Sequence, residues 1–188
     1  MKKNFFLIFL IVSILCWLLP FILRVYFFNI SVANSDYLKT ITLNKADVVD
    51  EILKLISIHD RWNTFILIFK NNIKGCLFNI IGGFLLGLGT FFNLIINGFY
   101  TADVFVFSYN SGVTIQTIIK ITLPHSFELI GFWLSGTIGF SIAWVIIQFM
   151  KGKEILANLF LKQIVSCVIL VFISIIMAAY IEAYVSIK

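Results

Sequence analysis

His125 and Glu128 stand three residues apart just after Pro124, in the run TLPHSFELIGFW, where a long apolar stretch begins. Proline suits the first turn of a helix, because its missing N–H is one of the donors left unbonded there. A histidine and a glutamate at that spacing then project from one helical face and can share a proton or a ligand. A second acid, Glu182 in IEAYVSIK, lies near the end of the last apolar run, and Asn71 and Asn72 precede another. A central aspartate in a bilayer helix costs about 2.5–3.5 kcal/mol on insertion scales, so such residues face a cavity or a partner. Three chemistries are open to this set. It can be a structural network joining helices, a site that handles a proton or a substrate, or a metal site of one histidine and two carboxylates, an incomplete set for zinc. His59 lies in a polar segment and reads as a solvated loop residue.

The elements that must place these residues are membrane helices. Of the 188 residues, 61% are hydrophobic and 12% charged, with 21 phenylalanines, a balance outside the range of soluble domains. Residues 4–23, 76–99, 130–150 and 163–184 form apolar runs of about the 20 residues a span requires. Residues 101–123 are apolar at both ends but interrupted by SYNSG at 108–112. These turn formers predict a short or broken fifth helix whose break faces the bundle interior. The predicted fold is therefore all-α, a polytopic transmembrane helix bundle of about five spans.

Three parts follow along the chain. Residues 1–28 read as a signal-anchor helix, retained because the run after Lys2 and Lys3 lacks a small-residue cleavage site. Residues 29–72 read as a polar extramembrane loop with five acids and five bases. Val48, Val49, Ile52, Leu53, Leu55 and Ile56 mark an amphipathic helix within it, with Trp62 as a headgroup-level anchor. Residues 73–188 read as the transmembrane core.

Five crossings put the starts of the second and fourth spans and the end of the fifth on one side of the bilayer, so Asn71, Asn72, His125, Glu128 and Glu182 can meet there. Lys2 and Lys3 before the first span, and Lys151, Lys153 and Lys162 between the last two, favour a cytoplasmic N-terminus in a bacterial cytoplasmic membrane. Gly83 and Gly87 in one span, and Gly131, Ser135 and Gly139 in another, recur at the four-residue interval that lets helix backbones approach. Asn79, Asn93 and Asn97 supply hydrogen bonds between helices. Cys16, Cys76 and Cys167 are scattered through apolar runs and read as free buried thiols. The net charge of +5 speaks of orientation and lipid headgroups, not nucleic acid. The chain lacks GxSxG, HExxH and GxxxxGK[ST], so ATP-driven work falls to another protein, and neither a cofactor nor a resident metal is expected.

The segments FKNNIKG, GGFLLGLG, NLIINGFY, LPHSFELIGF and IEAYVS, in that order over residues 69–186, resemble the stage II sporulation protein M family of bacterial membrane proteins. The resemblance assigns Asn71, Asn72, Asn97, Gly98, Pro124, His125, Glu128 and Glu182 to the family's polar signature. It differs at Ser126, where the family commonly has glycine, and in its short N-terminus. Two roles are implied. One is a sporulation membrane anchor for peptidoglycan-remodelling partners. The other, of small members similar to this chain in circular-bacteriocin gene clusters, is maturation, export or self-immunity of a hydrophobic peptide beside an ATPase. The compact chain favours the second. The residues favour a binding subunit over an enzyme, with Glu128 and Glu182 engaging cationic side chains and His125 tuning their charge. A peptidase or ligase would use His125, Glu128 and Glu182 as acid, base or metal ligands.

Overall fold

The computed structural model describes residues 3–27, 54–55, 58–112, 114–116, 125–153 and 157–186. Those residues are all-helical outside the turns. Five helices are long and apolar enough to cross a membrane: α1 (Lys3–Phe27), α2 (Arg61–Gly82), α3 (Leu88–Asn110), α4 (His125–Met150) and α5 (Ala157–Ile181). A π-helical turn, Glu182–Ser186, continues α5.

Two of the spans differ from the hydropathy reading. The apolar run 76–99 is not one helix but the facing halves of α2 and α3, folded back on each other. α2 starts fifteen residues before that run, at the Asp60 cap, whose carboxylate accepts from the Asn63 N–H at 3.1 Å. It thus takes up Trp62, Asn71 and Asn72. SYNSG does not interrupt a helix; it ends α3, where the Ser111 N–H donates to the Phe107 carbonyl and Gly112 turns left-handed at φ 85°. Hydropathy averaged across a tight apolar turn cannot show the turn. Of the amphipathic helix expected over 48–56, only 54–55 are among the described residues, and both are helical.

The reversal between α2 and α3 is made of Gly83–Leu85, one turn of 3₁₀ helix, followed by two left-handed residues, Leu86 at φ 52° and Gly87 at φ 83°. At Gly87 a side chain would be strained by that φ and would meet Ala143 Cβ at 3.2 Å.

α4 is the central helix, packed against α1, α2 and α5, while α1 also runs along α3. The neighbours fix the directions. Gly75 lies against Phe132, Asn79 against Ser135 and Gly83 against Gly139, so α2 runs parallel to α4. Phe5 stacks on Trp144 and Trp17 meets Trp133 edge-on, so α1 runs antiparallel to α4. At one end of the bundle, here the loop end, α1 finishes, α2 and α4 begin and α5 ends. The turn end holds the start of α1, the α2–α3 reversal and the Lys151–Gly152–Lys153 turn. Trp17, Cys76, Leu94, Phe132, Ile138, Cys167, Val171 and Ile175 form the core, and the three cysteines are free.

Candidate functional site

The polar side chains singled out in the sequence fall into two groups inside the bundle. The first is a ladder of amides. Asn97 donates to the Asn93 carbonyl at 2.8 Å and to its side-chain oxygen at 3.1 Å. Asn93 donates to Asn79 Oδ1 at 2.7 Å. Asn79 donates to Ser135 Oγ at 3.0 Å and to the Phe132 carbonyl at 3.2 Å, while the Thr90 hydroxyl closes on the Asn79 carbonyl at 2.7 Å. The ladder thereby ties α3 to α2 and α2 to α4. Its donors point in one direction and end on a backbone carbonyl, so the chain satisfies them itself.

Glycine makes this approach feasible. A Cβ on Gly83 would strike the Gly139 backbone, and one on Gly139 would strike the Asn79 carbonyl and the Thr90 hydroxyl. Gly87 faces Ala143 and Phe140, and Gly131 faces α5 at Ile175 and Ser174. The small residues singled out in the sequence therefore serve two interfaces of α4.

Asn79→Leu is expected to lower stability by about 2 kcal/mol, because it removes bonds that cross between helices, each worth about 0.6 and at most about 1.7 kcal/mol. Asn97→Leu, whose donors stay within α3, is expected to cost less than about 0.5 kcal/mol. Thermal unfolding of both variants in detergent checks the order; equal losses would remove the cross-helix role of Asn79.

The second group lies at the loop end. Asn72 is 8% exposed, and its Nδ2 has no hydrogen-bond partner among the described residues. Asn71 is exposed and reaches Asn72 Oδ1 at 3.5 Å. Glu128 lies in the first turn of α4. Glu182 opens the π-helical turn, which packs on α2. Both glutamates are partly buried and engage neighbours within the chain. Asn72, Glu128 and Glu182 therefore share one end of the bundle, with α2 packed against both α4 and the turn that carries Glu182. Asn97 does not join them; it belongs to the ladder. His125 is the first residue of α4, and its side chain lies outside those described. His59 is exposed, with φ 58°, just before the α2 cap. Among the described residues no three of His, Cys, Asp and Glu gather as a metal site would require.

One pair escaped the sequence reading. Arg24 Nε donates to Asp103 Oδ1 at 2.6 Å, with the side chains 20% and 12% exposed. The signal was present: an aspartate in the apolar run TADVFVF requires a partner, and the arginine closing the first span is a cation within reach.

The model of the family described as Stage II sporulation protein M matches residues 5–187. The chain belongs to the stage II sporulation protein M family. The match takes in α1, α2 and both polar groups, and so extends beyond residues 69–186, which carried the resemblance. An uncharacterized protein of Methanocaldococcus jannaschii is 29% identical over 124 residues, covering 64% of this chain and 70% of that relative. No solved structure matches the chain.

Proposed function

We propose that this family member is a membrane subunit that holds a hydrophobic peptide or a partner helix at its loop end, in a multiprotein assembly whose energy or chemistry comes from a separate subunit such as an ATPase. The observation that carries this reading is the buried Asn72 Nδ2. A donor shielded from water and left without an acceptor costs about 1–3 kcal/mol, which a peptide carbonyl arriving at that end would offset. Glu128 and Glu182 beside it suit cationic groups on the same ligand. The amide ladder, closed by internal bonds, holds α2 against α3 and α4. Maturation, export or self-immunity of a circular bacteriocin-like peptide is the finer form of this proposal.

Glu128→Gln tests it. For a binding subunit, the variant accumulates in the membrane normally while copurification of its ATPase and peptide falls about tenfold or more, the size expected for one lost charge-assisted bond. For an intramembrane peptidase or ligase using His125, Glu128 and Glu182, turnover disappears while substrate stays bound. The family's sporulation name favours a second reading, an anchor for peptidoglycan-remodelling partners. Sequencing the DNA beside the reading frame separates the two. An ATPase gene with a gene for a short hydrophobic peptide supports peptide handling; sporulation or wall-hydrolase genes without such a peptide support the anchor.

A further inference from the structure

The α2–α3 hairpin is long, yet its uncharged part is short. Between Lys74 and Asp103 the chain carries no Asp, Glu, Lys or Arg, and the reversal lies within that run. The reversal at Gly83–Gly87 leaves uncharged arms at 75–82 on α2 and at 88–102 on α3; at about 1.5 Å per residue they reach about 12 Å and about 22 Å, against about 30 Å of hydrocarbon. α1 supplies the scale, since its uncharged residues 4–23 lie between Lys3 and Arg24 and match the full thickness.

Depth read from the packing agrees. Gly83 lies at the level of Gly139, and Gly87 at that of Phe140 and Ala143. From there α4 continues to Met150, two further turns of helix or about 10 Å, before Lys151 and Lys153 mark its aqueous turn. The hairpin tip carries no such charges. Phe84 is 64%, Leu85 65% and Leu88 60% exposed, and Leu86, Phe91 and Phe92 are exposed beside them. The backbone of the reversal is instead covered by protein, with Gly83 on Gly139 and Gly87 on Ala143 and Phe140. Irregular backbone at membrane depth is tolerated only under such cover.

We infer that α2 and α3 form a re-entrant hairpin, entering and leaving at the loop end, whose tip is immersed in the lipid acyl chains of the turn-end leaflet and does not reach water there. Only α1, α4 and α5 then cross completely. A hairpin that returns to its own side leaves every other side assignment unchanged. The interaction surface is Phe84, Leu85, Leu86, Leu88, Phe91 and Phe92, and its partner is the acyl chain of the lipid, which fills the height between the tip and the far headgroups.

The test uses the full chain in phosphatidylcholine–phosphatidylglycerol vesicles, with single cysteines introduced by Leu85→Cys and Leu88→Cys at the tip and by Gly152→Cys and Ser111→Cys as aqueous markers of the two ends. The unaltered chain, whose own thiols lie in apolar interior, supplies the blank. A membrane-impermeant maleimide applied to both faces is expected to label both tip positions at least tenfold more slowly than either marker. A nitroxide placed on Leu85→Cys or Leu88→Cys is expected to collide readily with oxygen and rarely with a water-soluble nickel complex. Labelling at the tip as fast as at Gly152→Cys would overturn the inference and make all five helices full spans. A nitroxide shielded from both oxygen and nickel would also overturn it, by placing protein rather than lipid over the tip.

Discussion

Gly139→Leu is expected to abolish the folded bundle: detergent extracts should yield no monodisperse protein, whereas Leu88→Ala, on an exposed position, should behave as the parent does. The cause is the closeness of three backbones. Gly139 is buried between Gly83, the Asn79 carbonyl and the Thr90 hydroxyl, and even a first carbon there would overlap the last two. Over-packing by single methylenes costs about 1–3 kcal/mol where neighbours can shift. Here the neighbours include the Asn79 carbonyl and the Thr90 hydroxyl bonded to it at 2.7 Å, so the hairpin must leave α4. That departure would also break the Asn79 bonds to Ser135 and Phe132. Gly139→Ala, whose single added carbon already meets the same two oxygens, should be destabilised in the same direction, with a lower yield and a lower melting temperature than the parent. A leucine variant that purifies and melts like the parent would show that α4 and the hairpin are not in contact at this level.

Asp103→Leu should be the most costly single change at the loop end, at about 3 kcal/mol, the lower end of the range for breaking a buried ion pair. The carboxylate is 12% exposed and receives the Arg24 guanidinium at 2.6 Å. Removing it takes this carboxylate away from the Arg24 guanidinium, whose side chain is only 20% exposed. Arg24→Met combined with Asp103→Leu should recover most of the loss, because apolar residues of similar volume replace a buried pair at little net cost. Thermal unfolding of the single and double variants provides the comparison. If the double variant were no more stable than the single, the penalty would lie in the shape of Asp103 and not in the loss of the charge pair. The pair joins α1 to α3, so its loss should also free the C-terminal half of α1 to exchange amide hydrogens faster.

The opening residues, His125, Glu128 and Glu182, were legible because ionisable groups in apolar runs are costly and few, and the order of spans sorts them to one end. Asn72 was legible as a polar position beside them. That its amide is buried without an acceptor among the described residues was not, because burial depends on how the Glu182–Ser186 turn and α4 close over α2. The ladder of Asn79, Asn93 and Asn97 could be named as hydrogen-bonding residues. The direction of its donors, and the retention of Asn97 in the ladder and away from the loop end, required the register of α2 against α3.

What the sequence by itself determined is the membrane character, the helical class and the count of about five long helices, since all three follow from the length and composition of apolar runs. The tertiary structure decided where the second of those runs folds back and what faces what. A reversal built from Gly83, Leu86 and Gly87 is as apolar as the helices beside it, so no contrast in hydropathy marks it. Its existence depends on α4 offering Gly139 and Ala143 as cover for the exposed backbone. The Arg24–Asp103 pair rests on the same kind of cause. Its members are 79 residues apart in sequence, and only the parallel packing of α1 and α3 brings them within a hydrogen bond, where the low dielectric makes each require the other.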